Sequence, residues 1–392
     1  MPLKAAFHNL GCKVNAYEVE AMQQMLREAG YEIVPFEETA DVYVINTCTV
    51  TNIADRKSRQ MLHRAKKQNP GAVVVAVGCY AQIRGEELEK DPAIDLVIGS
   101  SRKSELAAAI EAFRQTGEKM TACGDLTRDR NYEELEISKT EEHTRAFIKV
   151  QDGCDRFCSY CIIPYARGRV RSRGQEEVCR EAERLTAAGV REIVLTGIHL
   201  CSYGKDLAED AELLDLIRAV HEVKGVQRLR LGSLEPSYIT EETAKALSEL
   251  PALCPHFHLS LQSGCDRTLE RMNRRYTTAE FAEKAALLRK YFDDPALTTD
   301  IITGFPGETE AEFAETVAFV TRMQFFETHV FPYSRREGTR AAQMPGQLTE
   351  KVKKERSRVL LDLNARQQEA FLGRSVGKPV EVLFEEQVQM DG

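Results

Sequence analysis

The stretch Gln151–Arg173, QDGCDRFCSYCIIPYARGRVRSR, follows a short apolar run at residues 146–150 that is typical of a buried strand. Within this stretch a polar loop holds three closely spaced cysteines, Cys154, Cys158 and Cys161. Thiolates at this spacing can hold one iron–sulfur cluster, and three ligands would leave one iron of a four-iron cluster open. A closed structural zinc site is the alternative, but it needs a fourth nearby ligand, and the next histidine along the chain is His199.

Length and composition allow two or three domains, because 392 residues exceed what a single hydrophobic core usually organises. The net charge of −8 gives no general attraction to nucleic acid, so RNA binding would depend on local basic patches. Neither a signal peptide nor a long apolar span is evident, so we expect a cytoplasmic protein that does not bind membranes. In that reducing compartment, the eleven cysteines favour metal ligands or buried thiols over disulfides.

Residues 1–116 alternate short apolar runs with helix-like segments, which predicts a parallel sheet with helices on both faces, as in Rossmann-like or flavodoxin-like domains. The predicted strands cover residues 4–9, 41–46, 72–77 and 94–98, and the predicted helices cover residues 15–29, 52–68, 82–90 and 102–115. A cysteine follows each of the first three strands: Cys12, Cys48 and Cys79. Since open α/β sheets bind ligands at the carboxyl ends of their strands, these cysteines could converge there; the alternative is three unrelated buried residues.

Residues 145–345 contain about six strand-then-helix units, which predicts an incomplete barrel with its active site at the carboxyl ends of the strands. The predicted strands cover residues 146–150, 192–195, 227–231, 256–261, 298–302 and 328–331, with helices at residues 176–188, 241–250, 279–291 and 310–323. Glycines or polar residues at these strand ends are candidates for ligand contacts, namely Gly197, Ser233, Glu235 and Gln262. The open side of such a barrel would suit a macromolecular substrate.

Two further segments flank the predicted barrel. Residues 117–144 are polar, acidic and poorly periodic, which predicts a linker, and Cys123 within it has no assigned role. Residues 346–374 predict a long connecting helix with one apolar stripe. Over Val376–Glu385 apolar and polar residues alternate as in the first strand of a small barrel, and residues 375–392 are too short to close one, so we expect a truncated C-terminal domain.

Two arginine-rich clusters are candidates for RNA contacts. The first alternates arginine with small or apolar residues, so that in an extended segment its members share one face: Arg167, Arg169, Arg171 and Arg173. The second lies near the exit of the fourth predicted barrel strand and comprises Arg271, Arg274, Arg275 and Tyr276. Guanidinium groups suit phosphates and base edges, although a solvated charged surface is the alternative for either cluster.

The cysteine loop, with Tyr160 directly before its last cysteine, resembles the signature of the radical S-adenosylmethionine (SAM) superfamily. The resemblance implies a partial (β/α)6 barrel and a [4Fe–4S] cluster on Cys154, Cys158 and Cys161, whose open iron binds SAM. It also implies cleavage of SAM to a 5′-deoxyadenosyl radical, chemistry that belongs to the cofactors while the protein binds and orients them. Our candidates for SAM contacts are Tyr160, Gly197, Ser233, Glu235 and Gln262, although Cys201 stands where relatives usually have glycine.

Several motifs resemble the methylthiotransferase branch of that superfamily: LGCKVNAYE at Leu10–Glu18, INTCTVT at Ile45–Thr51, VGCYAQ at Val77–Gln82 and the run CSYCIIPYARGRVRSR. The resemblance implies that Cys12, Cys48 and Cys79 hold an auxiliary [4Fe–4S] cluster, the route by which sulfur reaches the product. The start of the predicted C-terminal barrel likewise resembles a TRAM domain, which binds RNA in these enzymes.

Within this branch, LGCKVNAYE and YARGRVRSR are most similar to enzymes acting on N6-threonylcarbamoyladenosine at position 37 of tRNA. The resemblance implies transfer of a methylthio group to C2 of that adenine, with one SAM as methyl donor and a second as radical source. The expected partners are the tRNA anticodon loop, SAM and an electron donor such as flavodoxin or ferredoxin. The alternatives are enzymes acting on isopentenyladenosine or on a ribosomal-protein aspartate, a non-catalytic iron–sulfur RNA-binding sensor and a zinc-dependent structural protein.

Overall fold

The computed structural model describes residues 2–126, 129–138, 144–207 and 211–384, and in these ranges the chain forms two α/β units. The strands are β1 (Lys4–Asn9), β2 (Glu32–Val34), β3 (Val42–Thr47), β4 (Val73–Gly78), β5 (Leu96–Ile98), β6 (Met120–Ala122), β7 (Arg145–Asp152), β8 (Arg171–Ser172), β9 (Glu192–Gly197), β10 (Arg228–Leu231), β11 (His256–His258), β12 (Ala296–Thr303) and β13 (Glu327–Pro332). The α-helices are α1 (Lys13–Glu28), α2 (Asn52–Gln68), α3 (Cys79–Glu89), α4 (Leu106–Thr116), α5 (Ile163–Arg167), α6 (Gln175–Ala187), α7 (Leu213–His221), α8 (Glu241–Ser248), α9 (Asp266–Arg271), α10 (Thr278–Tyr291), α11 (Glu310–Met323) and α12 (Glu350–Gly373). None of the described helices combines the length and the apolar character that crossing a membrane requires.

The first unit is a parallel sheet with the strand order β2-β1-β3-β4-β5-β6. Its central strands β3 and β4, VYVINT and VVVAVG, are buried along their whole length, because helices cover both faces. Alternate side chains enter two cores, so that Tyr43 and Ile45 pack on one face and Val42 and Val44 on the other. The predicted parallel sheet is confirmed, and the short strands β2 and β6 extend it at its edges.

The predicted linker, residues 117–144, is partly built into the fold. Its first residues form β6, which pairs with β5, so this strand belongs to the N-terminal sheet. Leu126, Leu135 and Ile137 are buried, and the last two pack in the core of the second unit. The prediction of a surface linker is therefore wrong for these residues, because apolar side chains anchor the segment. Residues 127–128 and 139–143 lie outside the described residues.

The second unit is an incomplete barrel whose parallel strands follow chain order: β7, β9, β10, β11, β12 and β13. Two backbone hydrogen bonds join the segment after β10 to the end of β11 and the residues after it, since Leu234 N donates to His258 O (2.8 Å) and Ser260 N donates to Leu234 O (3.0 Å). The short strand β8 extends one edge by pairing antiparallel with β7. The partial barrel of six strand–helix units is confirmed.

The two units pack against each other through α1, whose Tyr17 lies in the core of the barrel. A buried ion pair adds a second contact, since Arg336, which follows β13, lies 2.7 Å from Asp55 in α2. Arg336 also donates to Thr49 Oγ1 at 2.7 Å, and Thr49 is next to Cys48. The edge of the first sheet that carries Cys48 is therefore held against the barrel.

The C-terminal helix α12 confirms the predicted connecting helix, and its buried Leu360 and Leu363 pack in the barrel core. The strand predicted from Val376 onward is wrong in its described part, because residues 376–384 form no strand. Val376 and Phe384 are 81% and 82% exposed, and among the described residues no strand pairs with this segment. Residues 385–392 lie outside the described residues.

Candidate active site

Three thiols lie at the carboxyl end of the barrel in the loop between β7 and α5, and we call them the loop group: Cys154, Cys158 and Cys161. Neighbouring backbone holds this loop, since Cys154 N donates to Gly168 O (3.0 Å) and Ser159 N donates to Met272 O (3.0 Å). Gly153 begins the loop at a φ of +71°, and a Cβ there would lie 1.7 Å from Arg169 O, so this position requires glycine. The surrounding backbone therefore fixes the loop that carries the three thiols.

Burial and the proximity of other thiols disfavour ionisation of two members of the loop group, Cys154 and Cys161. Burial raises the pKa of Cys154 to about 11, with a further contribution from Cys158. Burial also raises the pKa of Cys161 to about 12, and Cys158 again adds to the effect. The third thiol is contacted by a cation, because Arg274 Nη1 donates to Cys158 Sγ at 3.3 Å. A bound metal cluster would displace the thiol protons, as cysteine ligation requires.

A second set of thiols, which we call the sheet group, lies at the carboxyl ends of β1, β3 and β4 and comprises Cys12, Cys48 and Cys79. These three strands are neighbours in the first sheet. Burial raises the pKa of Cys48 to about 11, and the nearby Cys79 and Cys12 thiols add to this shift. The fold thus brings together cysteines that the sequence places in three separate motifs.

Polar side chains at the strand ends fix the sheet group. Cys12 Sγ donates to Asn15 Oδ1 at 3.3 Å, and Asn15 Nδ2 donates to Asn46 Oδ1 at 3.1 Å. Gly78 precedes Cys79 with a φ of +97°, and a Cβ there would lie 2.5 Å from Asn46 Oδ1. Asn15 and Asn46 therefore tie the segment that carries Cys12 to β3.

Arg167, the last residue of α5, links the two groups of cysteines. Its Nε donates to Cys79 Sγ, in the sheet group, at 3.1 Å. Because α5 directly follows the loop group in the chain, this hydrogen bond connects the two groups. Its other nitrogens donate to two buried carboxylates, Glu18 Oε2 at 3.0 Å and Asp152 Oδ2 at 3.2 Å. Burial opposes ionisation of Glu18, but the charge of Arg167 lowers its pKa to about 2. A buried charged network therefore connects the sheet group to the barrel.

The predicted RNA-binding face of the first arginine cluster is wrong for three of its members, because Arg167, Arg171 and Arg173 are buried. The segment is not extended throughout, since α5 ends at Arg167 before β8 begins at Arg171. Arg171 Nη2 donates to Arg167 O at 2.8 Å, and Arg173 forms an ion pair with the buried Glu181. Arg169, with 42% of its side chain exposed, remains at the surface.

The second arginine cluster is also largely used inside the protein. Arg274 binds the loop group, so the prediction of an RNA contact is wrong for this residue. Arg271 Nη2 lies 2.8 Å from Glu312 Oε2 in a partly buried ion pair. Arg275 is exposed, and together with Arg169 it stays a candidate for RNA contacts.

A cavity of about 240 Å³ is lined by residues of both units, and we call it the shared cavity. One wall comes from the first unit, where Val50 and Thr51 follow Cys48. Another wall comes from the barrel, where Tyr160 precedes Cys161. The remaining lining comes from the barrel strand ends and the residues after them: Gln262, Asp300, Ile302, Phe331, Pro332, Tyr333 and Ser334. A molecule in the shared cavity would therefore touch residues adjacent to both groups.

The predicted SAM contacts share the rim of the barrel but not one cavity. Tyr160 and Gln262 line the shared cavity. Gly197, at the end of β9, lies close to Gln151. A Cβ at position 197 would lie 2.9 Å from Gln151 Oε1. The other two candidates follow β10, where Ser233 is exposed and Glu235 is buried.

Glu235 is held by neighbouring polar side chains. It forms an ion pair with Arg156, and its Oε2 lies 3.4 Å from His199 Nε2. Burial opposes its ionisation, but the nearby His199 imidazole and the charge of Arg156 lower its pKa to about 2. Its backbone N donates to Cys201 Sγ at 3.2 Å, so this unexpected cysteine helps to position the carboxylate.

Gln151 is a site residue that the sequence interpretation missed. Its Nε2 donates to Gly153 O at 2.7 Å, and its Oε1 accepts from His199 N at 2.7 Å. It therefore ties the start of the loop group to the segment after β9. One sequence signal could have identified Gln151: it is a glutamine at the end of an apolar strand, just before the cysteine loop.

Family models match the chain in two parts. The model described as the Radical SAM superfamily matches residues 148–320, which include the loop group. The model described as uncharacterized protein family UPF0004 matches residues 4–99, which include the sheet group. The barrel and its cysteine loop therefore define a radical SAM protein, a class that uses SAM and a [4Fe–4S] cluster.

Curated relatives are similar over nearly the whole chain. The threonylcarbamoyladenosine tRNA methylthiotransferase MtaB of Bacillus subtilis is 44% identical over 382 residues, covering 97% of this chain and 84% of the relative. The protein of the same name from Aquifex aeolicus is 40% identical, covering 98% and 93%. A tRNA-2-methylthio-N(6)-dimethylallyladenosine synthase of Moorella thermoacetica is 38% identical, covering 96% and 85%. The chain therefore belongs to the radical SAM tRNA methylthiotransferase family.

Solved structures support the same fold at low sequence identity. The radical S-adenosylmethionine methyltransferase TsrM of Kitasatospora setae, with cobalamin and a [4Fe–4S] cluster bound, matches with a TM-score of 0.59 and 18% identity, covering 87% of this chain and 77% of TsrM. The cobalamin-dependent S-adenosylmethionine radical enzyme OxsB matches with a TM-score of 0.54 and 11% identity, covering 95% and 56%. These two likenesses concern the fold alone.

Proposed function

We propose that the protein transfers a methylthio group to C2 of N6-threonylcarbamoyladenosine at position 37 of tRNA. Both MtaB relatives are named for this nucleoside. When bound, SAM would supply the methyl group and the radical that activates the C2–H bond, and an auxiliary [4Fe–4S] cluster would supply the sulfur. A radical is required because an unactivated aromatic C–H bond offers no easy acid–base route.

The observation that carries this proposal is the shared cavity, which is lined by residues close in sequence to cysteines of both groups. A reaction that cleaves a sulfonium at one cluster and takes sulfur from another needs both within reach of one substrate. Val50 and Thr51 on one side and Tyr160 on the other border this cavity, and each lies within three residues of a cysteine. A protein that used its cysteines to sense iron would need no such cavity.

Each group of cysteines has a donor set that suits a [4Fe–4S] cluster, because each offers three thiols at a strand-end edge. The loop group would hold the SAM-binding cluster, and the sheet group would hold the auxiliary cluster. Arg274 and Arg167 each donate to one sulfur, on Cys158 at 3.3 Å and on Cys79 at 3.1 Å. Hydrogen bonds from cations stabilise anionic sulfur, so both arginines would support the bound clusters.

The barrel rim supplies the proposed contacts to SAM. Tyr160 and Gln262 face the shared cavity, where they would contact SAM or the nucleobase. Gly197 would let the backbone after β9 approach the ligand closely. Ser233 and Glu235 offer a hydroxyl and an ionised carboxylate for its polar groups.

The exposed arginines would bind tRNA phosphates. Arg275 borders a surface cleft of about 380 Å³ together with Arg130 and Lys205, and Asp155 of the cysteine loop lies in the same cleft. Arg169 stacks over Phe157 in the same loop, with its guanidinium carbon 5.3 Å from the ring centroid. This cleft thus has more cationic than anionic side chains in its lining although the net charge of the chain is negative. An electron donor such as flavodoxin or ferredoxin would reduce the SAM-binding cluster.

An isopentenylated adenosine is the second candidate substrate. The Moorella relative, at 38% identity, is named for a dimethylallyladenosine product. The shared cavity is chemically mixed, because Ile302 and Phe331 line it beside Asp300 and Gln262. This lining offers contacts to an apolar prenyl group as well as to a polar threonylcarbamoyl group.

The direct test incubates cluster-reconstituted protein with SAM, a reductant and tRNA carrying one nucleoside or the other, followed by mass spectrometry of the digested nucleosides. We expect conversion of the threonylcarbamoyl nucleoside to its 2-methylthio form. Conversion of the isopentenyl nucleoside alone would move the assignment to the second candidate. Cleavage of SAM without methylthiolation of either nucleoside would contradict both candidates.

A further inference from the structure

Three potential metal ligands other than cysteine meet inside the barrel. His258 ends β11, Asp300 lies in β12 and His329 lies in β13. Asp300 pairs directly with His329, and His258 pairs with Thr298, two residues before Asp300. Because residues two apart on a strand share a face, the strand register sends all three side chains to the same side of the sheet.

The ligand atoms of these side chains form a compact set, in which all lie within 4.8 Å of one another. The two imidazole rings stack, with centroids 5.6 Å apart and planes inclined by 21°. His258 Nε2 lies 3.2 Å from Asp300 Oδ2, yet within the described chain this buried nitrogen has no partner in hydrogen-bond geometry. A buried polar atom without a hydrogen bond is costly, so this arrangement needs a physical explanation.

A partner on the other ring nitrogen orients His258. His258 Nδ1 lies 3.0 Å from Thr298 Oγ1. When Nδ1–H donates to this hydroxyl, Nε2 carries no proton and presents its lone pair on the side of Asp300. Metal-binding histidines are commonly held in this way, by a hydrogen bond from the nitrogen that does not bind the metal.

We propose that His258, Asp300 and His329 bind one divalent transition-metal ion. Two imidazoles and one carboxylate suit ions such as Zn²⁺, Fe²⁺ or Mn²⁺. Asp300 also lines the shared cavity, so an ion held by three protein ligands would have an open coordination position near the substrate. The proposal goes beyond the methylthiotransferase reaction, and metal binding can be measured without turnover.

Equilibrium dialysis of the iron-loaded protein against MnCl₂, with manganese counted by mass spectrometry, tests this site. Mn²⁺ favours imidazole and carboxylate over thiolate ligands, so the cysteines compete weakly. We expect about one Mn²⁺ per chain, and binding weaker by about tenfold or more in the Asp300→Asn and His329→Gln variants. Thr298→Val should weaken binding less, because it removes the hydrogen bond that orients His258 and keeps all three ligands.

The matched control is His63→Gln, which alters another histidine–aspartate pair, with His63 Nε2 2.7 Å from Asp91 Oδ2. Among the described residues this pair does not belong to a three-ligand group, so the variant should bind Mn²⁺ like the wild type. Iron content should be unchanged in every variant, because none alters a cysteine. If the wild type binds Mn²⁺ no more strongly than Asp300→Asn does, the proposal is overturned in favour of a simple ion pair. It is also overturned if His63→Gln weakens Mn²⁺ binding as much as the ligand variants do.

Discussion

The two groups of cysteines are built in opposite ways. The loop group comes from one segment, whose shape is set by Gly153 and by backbone hydrogen bonds to Gly168 and Met272. The sheet group comes from three strand ends, and its members meet because β1, β3 and β4 are neighbours. The loop group can therefore be recognised from spacing alone, whereas the sheet group depends on the whole N-terminal fold and on its contact with the barrel.

That contact can be broken at Arg167. Arg167→Met should lower the free energy of unfolding by about 3–5 kcal/mol, because Glu18 and Asp152 stay buried without the guanidinium that bridges them. Denaturant unfolding of the cluster-free protein measures this loss. Arg169→Met is the matched control, with an expected effect below about 1 kcal/mol because its side chain is 42% exposed. Equal stability of the two variants would contradict a link between the units through Arg167.

The barrel that carries the loop group has a separate charged anchor at the start of β9. Glu192 accepts hydrogen bonds from Arg228 Nε at 2.8 Å and from Arg230 Nε at 3.1 Å. Burial opposes its ionisation, but these two arginines lower its pKa to about 2. A Glu in an unfolded chain has a pKa of about 4.3, so the carboxylate stabilises the fold above that pH, and this stabilisation is lost as the pH falls toward about 2.

We therefore expect the wild type to lose up to about 3 kcal/mol more unfolding free energy than Glu192→Gln between about pH 5 and pH 2. Unfolding of both cluster-free proteins over this range measures the difference. This pH-dependent loss of stability should occur whether or not the sheet group is intact, because Glu192 and its arginines all lie in the barrel. Parallel pH profiles for the two proteins would show that Glu192 is not held ionised by its arginines.

The shared cavity can be narrowed from the side of the sheet group. Val50→Trp places a larger side chain in that wall, and we expect methylthiolated product to fall about tenfold while SAM cleavage changes less than about twofold. Release of 5′-deoxyadenosine and the nucleoside product are measured in the same reaction. Ile53→Trp is the control, since Ile53 is 55% exposed and lies outside the cavity lining. A proportional fall in both readouts would contradict separate roles for the two walls.

The smallest expected effect is at one sulfur of the loop group. Arg274→Gln removes a cationic donor to Cys158 Sγ. Loss of this positive charge disfavours the reduced cluster, which is the more negative form. We expect its reduction potential to fall by about 30 mV, equivalent to about 0.7 kcal/mol for one electron. A spectroscopic redox titration measures this shift, with Arg275→Gln as the exposed control. An unchanged potential would mean that the Arg274 hydrogen bond does not tune this cluster.

Local patterns predicted the elements of both units well. The strand expected at residues 4–9 is β1, and the helix expected at residues 310–323 is α11, because each has a clear periodicity over its own length. The convergence of the sheet group could be inferred from topology, since cysteines after successive parallel strands reach one edge.

Long-range burial of charge could not be predicted in this way. Arg167 reads as part of an exposed, alternating arginine cluster, yet its carboxylate partner Glu18 is 149 residues away in the chain. No local pattern records such a pair, because the two residues meet only after both units have folded and packed. The burial of Leu135 and Ile137 in the predicted linker has the same cause, since they pack in the barrel core.

Counting iron in two triple variants tests most directly whether two separate clusters serve one cavity. Alanine at Cys154, Cys158 and Cys161, or at Cys12, Cys48 and Cys79, should in each case leave about four iron atoms per chain, about half the wild-type content. The sheet-group variant should still cleave SAM but form no methylthiolated nucleoside, and the loop-group variant should do neither. Full iron content or continued methylthiolation in the sheet-group variant would contradict the assignment of a sulfur-supplying cluster to these strand ends.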